Sequence, residues 1–408
     1  MATPTEEPVT GPTEDFLRDE IVVDLPYLPL VTDVLGKLQP QVPAVIVSTD
    51  DILGLALLSL KNVDGYAAVH GIPRFDGAES LDAVLWALRS RLTFGEWVVE
   101  MGKNRYMHQG VVGFPQSKPL SSGDPEHATP ERMQHTAGLT AGDGVRVGVL
   151  DTRLFPHPDL EGHYLAEPED LLTPEANSVP KWKGHATFVT GLIVAKAPAA
   201  KVVVRAVLND DNGWASAWKT AAAMARFPDV DVLNLSLGCR TKDGRPPLVM
   251  RRAIEVLGRR MVVVAAAGNH QRTEYKTAPT WPAALPGVVA VGATNDHGLS
   301  HGTFHLADFS PKLPWIACVA RGETLVSTYL NGWVQVHNAK GHPTDEEFTG
   351  YASWSGTSFS AAIVSGAIAA GTKPPGAGTK PPGRVTARES LYRLLTTPNP
   401  LVTRYIGG

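Results

Sequence analysis

Four short valine-rich runs recur between residues 145 and 291: VRVGVL at 145–150, KVVVRA at 201–206, MVVVAAA at 261–267 and VVAV at 288–291. Each holds a continuous apolar stretch, VGVL, VVV, MVVVAAA and VVAV in turn, instead of apolar residues at alternate positions only, the pattern of a strand covered on both faces. A further strand is expected at 230–235. Between the runs lie stretches with helical spacing, one opening near His185, one over 214–227, one over 248–260 and one behind Ser358. Parallel strands need a long crossover, and the crossover helices must land on the sheet faces. The expected fold class is therefore α/β, a parallel sheet with helices on both faces.

Open parallel sheets carry their chemistry at the carboxyl ends of strands. Asp151 directly follows the first run, and His185 opens the apolar segment HATFVTGLIVA. Further on, GTS at 356–358 runs into a small-residue helix pattern, which puts Ser358 in a first turn, in the field of unpaired backbone N–H groups. Gly356 lets another backbone come close. Asn269, in AAAGN just past a strand, can aim an amide N–H at a developing negative oxygen. Each residue alone also has an ordinary reading, as a turn cap, a solvated histidine, a helix cap or a Gly-Asn turn. Together they supply the orienting acid, general base, nucleophile and oxyanion donor of acyl transfer.

The stretch from about 138 to 370 resembles the subtilisin-like serine proteases, or subtilases. Five motifs carry the likeness in order: DTRLFPHPDL at Asp151, HATFVTG at His185, NLSLG at 234–238, AAAGN ending at Asn269, and GTSFSAAIVSG around Ser358. The chain order Asp, His, Ser is that of subtilisin. The resemblance implies a serine endopeptidase with Ser358 as nucleophile, His185 as general acid and base, and Asp151 holding the imidazole. Asn269 and the Ser358 N–H would form the oxyanion hole. It also implies that Ser236, Leu237 and Gly238 pair with an extended substrate, and that Ala266, Ala267 and Gly268 wall the primary specificity pocket. Thr280, just before Trp281-Pro282, would lie at the pocket base and narrow it for small or medium uncharged side chains. Four places depart from the family pattern: Arg153 and Ala186 stand for glycine, Phe188 for a second histidine, and Ala362-Ile363 for Pro-His. Two other functions stay open, a processing protease dedicated to one peptide or effector partner, and a non-catalytic binding protein with a subtilase fold.

Ahead of this core, residues 1–114 are expected to form a small α/β or α+β domain. Strands are expected at 20–25, 44–47 and 97–101, and helices over 31–38, from Asp50 or Asp51 through Leu60, and behind Ser80. This domain is expected to be an intramolecular inhibitor, propeptide-like, or a module that docks a partner. The Pro-, Ser- and Gly-rich segment 115–131 reads as an exposed linker and cleavage point, leaving 132–408 as the catalytic domain. The tandem GTKPPGA and GTKPPGR, near 371–384, reads as a flexible spacer, and 387–395 as a closing amphipathic helix.

With 37 basic and 41 acidic residues the charge is balanced, which argues against a nucleic-acid or membrane-surface partner. The 39 glycines and 33 prolines point to many loops around a packed centre. Two cysteines, Cys239 and Cys318, are too few for a disulfide framework. No secretion signal or membrane-spanning run is visible, so the expected location is the cytoplasm and the expected partner a protein or peptide substrate. No cofactor is expected and no metal ligands are named; the acidic residues form no recognisable calcium loop, so calcium binding stays open.

Overall fold

The computed structural model describes residues 16–75, 78–109, 123–130, 138–173, 177–258, 260–273, 275–295, 305–337, 342–373 and 385–405. The N-terminal part begins β1 (Phe16–Asp24), α1 (Leu28–Lys37), β2 (Ala44–Asp50), β3 (Leu55–Leu60), α2 (Val63–His70) and α3 (Ser80–Arg91). A small hairpin of β4 (Thr93–Phe94) and β5 (Trp97–Val98) then leads to β6 (Met101–Gln109). β1 pairs antiparallel with β3 and β6, and β3 with β2.

Two expectations fail here. The helix expected through Leu60 is the strand β3, preceded by a tight turn in which the Asp50 carboxylate accepts from the Ile52 and Leu53 N–H groups, both at 3.1 Å. The strand expected at 97–101 splits into β5 and the start of the much longer β6. The first failure has a clear cause, because β3 is buried on both faces and so lacks alternation. Ala56, Leu58 and Leu60 pack with α1, α2 and α3, while Leu55 and Leu57 pack into the catalytic domain. β1 divides the same way, Ile21 and Val23 to one side and Val22 to the other. Val22, Leu53, Leu55, Leu57 and Met107 thus share a core with the catalytic helices α5 (Ala217–Ala225) and α6 (Leu248–Leu257), each buried side chain contributing about 1.5–3 kcal/mol. The N-terminal domain has its own core on one sheet face only.

β7 (Glu126–His127) lies in the segment expected to be an exposed linker. Of that segment, residues 115–122 and 131 lie outside the described residues. The described part is docked: β7 pairs antiparallel with the later strand β19 (Pro343–Trp354), and Asp124 forms an ion pair with Lys181.

The catalytic core is an eight-stranded sheet. Seven strands run parallel: β8 (Arg146–Asp151), β9 (Tyr164–Leu165), β11 (Lys201–Ala206), β13 (Val232–Leu235), β15 (Val262–Ala266), β16 (Val288–Thr294) and β17 (Cys318–Arg321). The antiparallel β20 (Val402–Arg404) adds to β17 at the edge. Helices α4 (His185–Lys196) and α7 (Thr357–Gly371) pack on one face, and α5 and α6 cover the other. From β8 the chain goes out to the edge strand β9 and returns to β11 between them, then crosses to β13 on the other side of β8 and continues through β15 to β17. The reversal beside β8 is where such sheets place their sites.

The 214–227 segment is not one helix. Trp214–Ser216 is the strand β12, and the Ser216 hydroxyl caps α5 by accepting from the Lys219 N–H at 3.1 Å. A long hairpin of β18 (Leu325–His337) and β19, with β10 (Val179–Pro180) alongside β18, had no counterpart in the sequence reading. Of the tandem GTKPPG segment, residues 374–384 lie outside the described residues, and Lys373 and Val385 on either side of them bridge at 2.8 and 2.9 Å. α8 (Ala387–Thr396) follows, with a capping box between Thr386 and Glu389. Cys239 and Cys318 are both buried free thiols.

Candidate active site

Asp151 ends β8 with its side chain fully buried, and His185 starts α4. Gly184 makes that start possible, since a Cβ there would lie 2.1 Å from the Tyr329 ring. The His185 Nδ1 lies 2.9 Å from both carboxylate oxygens of Asp151. Asp151 also accepts from the Thr152 N–H at 2.7 Å. The imidazole stands edge-on to Trp354 at 5.7 Å and tilted against Phe359 at 5.5 Å. Phe188 fills the place of the family's second histidine and packs on Phe359 at 4.4 Å, so the ring's position is set by aromatic packing.

Ser358 is the second residue of α7, and its hydroxyl donates to the Ser236 carbonyl at 3.3 Å. The Ser236 hydroxyl in turn donates to the Ser358 carbonyl at 2.9 Å, and it accepts from Asn234 Nδ2 at the same length. Asn234 Oδ1 accepts from Ser365 on α7 at 3.0 Å. The strand segment 234–238 and the first turns of α7 are thereby fixed to each other.

Thr357 links the two loops. Its N–H and hydroxyl both donate to Asn269 Oδ1, at 2.9 and 3.0 Å, and its hydroxyl accepts from the Gly268 N–H at 3.0 Å. With Oδ1 occupied, the Asn269 Nδ2 faces the other way, 3.6 Å from where a Cβ on Gly356 would stand. Sequence reasoning missed Thr357, although it lies inside the GTS tripeptide.

Ala266 ends β15, and the Ala267 N–H donates to Val291, so both are locked into the sheet. Gly268 has φ +93°, and a Cβ on it would come within 2.8 Å of both Thr280 Oγ1 and His270 Nδ1. Thr280 is fully buried, directly before the cis peptide Trp281-Pro282. Burial, then the nearby Arg240 charge, push the His270 imidazole down to about 4, so it is neutral near neutral pH.

Leu237 and Gly238 form the short strand β14 (Leu237–Gly238), expected to pair with substrate. Its partner is the N-terminal domain: Leu237 stands opposite Gln109 and Gly238 opposite His108 on antiparallel β6. On the other side of β6, Trp214–Ser216 pairs with His108, Met107 and Tyr106. The end of β6 therefore runs between two catalytic strands, and Gln109 Nε2 donates to Asp151 Oδ1 at 3.3 Å.

Residues 142–373 match the family described as the Subtilase family. The chain belongs to that family. Among curated relatives, this subtilase is 31% identical to Subtilisin BL of Lederbergia lenta over 248 residues, covering 58% of this chain and 78% of the relative. It is 30% identical to the Minor extracellular protease Epr of Bacillus subtilis over 208 residues, covering 48% of this chain and 29% of Epr. Among solved structures, fervidolysin from Fervidobacterium pennivorans, described as a keratinolytic enzyme related to subtilisin, superposes with a TM-score of 0.55 at 19% identity. That match covers 87% of this chain and 54% of fervidolysin, and at such identity it speaks for the fold. The subtilase is a serine endopeptidase.

The departures from the family pattern are accommodated locally. Arg153 pins the loop after Asp151 through its N–H to Asp210 at 2.9 Å, and Ala186 is fully buried. α7 runs unbroken through Ala362-Ile363. Among the described residues no group of three His, Cys, Asp or Glu side chains is placed to hold a metal, and no helix is long and apolar enough to cross a membrane.

Proposed function

We propose that this subtilase hydrolyses peptide bonds with Ser358 as nucleophile, and that its N-terminal domain holds it latent. What carries the catalytic reading is the buried Asp151–His185 pair. With Nδ1 committed to the carboxylate, Nε2 is the ring nitrogen left to take the Ser358 proton as Oγ attacks a carbonyl carbon. A turn of the Ser358 side chain away from the Ser236 carbonyl precedes that step. The oxyanion then accepts from Asn269 Nδ2 and the Ser358 N–H, both fixed beforehand by Thr357 and the helix start. His185 returns the proton to the leaving amine, and water repeats the sequence on the acyl enzyme.

The latency reading rests on β6. It takes the backbone pairing at Leu237–Gly238 that a substrate strand would need, and Gln109 reaches Asp151. Release by self-cleavage downstream of Gln109 would free that edge. The competing reading is a permanent docking module.

Full-length protein and its Ser358→Ala variant, incubated in parallel, test both. The wild type hydrolyses casein and loses about a quarter to a third of its mass, by the position of the segment after β6 along the chain; Ser358→Ala does neither. Wild type that stays whole and fully active leaves the docking module. Cleavage confined to one partner peptide, with casein untouched, identifies a dedicated processing enzyme.

A further inference from the structure

The seam between the two domains is lined with opposite charges that pair across it. Asp24 pairs with Arg252 at 2.7 Å, Glu100 with Arg252 at 2.6 Å and with Arg251, and Asp50 with Arg226. One cavity in that seam, about 290 Å³, breaks the pattern. Its N-terminal wall is α3 with β5 and β6; its catalytic wall is the 243–248 loop and the start of α6. It shares no residue with the triad.

Five cationic side chains line this cavity against three acidic ones. The acids are all engaged: Asp82 with Lys103 at 2.8 Å, Asp243 with Arg105 at 3.0 Å, and Glu100 with Arg251. Among the described residues neither Arg89 nor Arg245 forms an ion pair. Arg89 is half-buried on α3 and gives one N–H to the Met101 carbonyl at 3.1 Å. Burial lowers its pKa, and the next largest influence is the like charge of Arg245 across the seam, ahead of the opposing Asp243 and Asp82. Each domain thus brings one unpaired guanidinium to the same cavity, where the two repel.

We infer that this cavity is an anion site, taking a small molecule that bears a phosphate group between Arg89 of the N-terminal domain and Arg245 of the catalytic domain. Guanidinium forks approaching from opposite walls suit a tetrahedral group with oxygens on several sides. The volume is at the low end for a small-molecule site, which favours a compact ligand. Because the two arginines belong to different domains, the ligand binds the docked arrangement only. Occupancy therefore stabilises docking in proportion to ligand concentration. Binding itself is independent of the latency reading, and only its effect on release rests on that reading.

The test uses full-length Ser358→Ala protein, which stays in one piece. Titration calorimetry and thermal melting are followed with inorganic phosphate, with succinate, and with potassium chloride at matched ionic strength. The inference expects saturable one-to-one phosphate binding, a rise in melting temperature beyond that in chloride, and at least tenfold weaker binding in Arg245→Gln and in Arg89→Gln. Arg245 is exposed, so its variant folds even if Arg89→Gln does not. In wild type, phosphate is then expected to slow loss of the N-terminal fragment. Phosphate acting no differently from chloride, undiminished binding in Arg245→Gln, or binding of succinate but not phosphate would each overturn the inference. Phosphate binding without any change in release retains the site and counts against latency alone.

Discussion

Gln109 of the N-terminal domain donates its side-chain amide to Asp151 Oδ1 at 3.3 Å, reaching the carboxylate that holds His185. Both groups are buried, so the exchange of this amide for a charge is costly. Gln109→Asp should place like charges together and loosen β6 from the cleft. Intact mass against time should show the N-terminal fragment appearing at least several-fold faster than in wild type, and an unchanged rate would separate Gln109 from the restraint.

Acid should also loosen β6. His108 lies between Trp214 and Gly238 with its ring edge-on to Trp214 at 3.6 Å, and burial, then Arg240, push its pKa down from 6.5 to about 3. A depressed folded pKa contributes stability that is complete above the ordinary value and is lost as pH falls toward the folded one. Docking should therefore weaken progressively below about pH 6.5. Burial raises the carboxyls of Asp24 and Glu20, which act in the opposite direction at the acid end. His108→Gln separates the two effects: release of wild type should accelerate between pH 7.5 and 5, and the variant should lose that acceleration.

The oxyanion donor is proposed to work only because Thr357 aims it. Asn269→Ala should keep substrate binding and lose on the order of a hundredfold or more in turnover. Thr357→Val keeps the shape but removes the hydroxyl bond to Asn269 Oδ1, and should cost about 3- to 10-fold in kcat with KM little changed. Steady-state kinetics on a peptide substrate measures both, and an Asn269→Ala enzyme within a few-fold of wild type would rule the assignment out.

The close approach of Thr280 and His270 to Gly268 supports a narrow primary pocket. A peptide library should show small or medium uncharged residues at the cleaved position, and Thr280→Gly should broaden this toward large side chains. A preference for Phe, Tyr, Lys or Arg in the parent enzyme would contradict the pocket reading.

The parts of the site legible in the sequence are those coded by adjacent residues. Asp151, His185, Asn269 and Ser358 each sit where a strand or turn hands over to a loop or helix, and the valine-rich runs announce the strands. What escaped the sequence is set by contacts distant along the chain. β3 looked helical because the second domain covers its other face, so no alternation shows. The length of β6 is hidden because Lys103 and Arg105 read as surface residues until Asp82 and Asp243 neutralise them. Nothing near Gln109 foretells that it meets Asp151, 42 residues away. In the β18–β19 hairpin, the β18 stretch from Leu325 to Leu330 is buried throughout and offers no alternation to read.

The most direct test of the proposed chemistry is covalent labelling with a fluorophosphonate, followed by peptide mapping of full-length protein after incubation. The predicted result is a single adduct on Ser358, lost in His185→Ala and greatly slowed in Asp151→Asn. Protein that hydrolyses peptides without forming this adduct, or that carries it on another residue, would contradict the assignment of Ser358 as nucleophile.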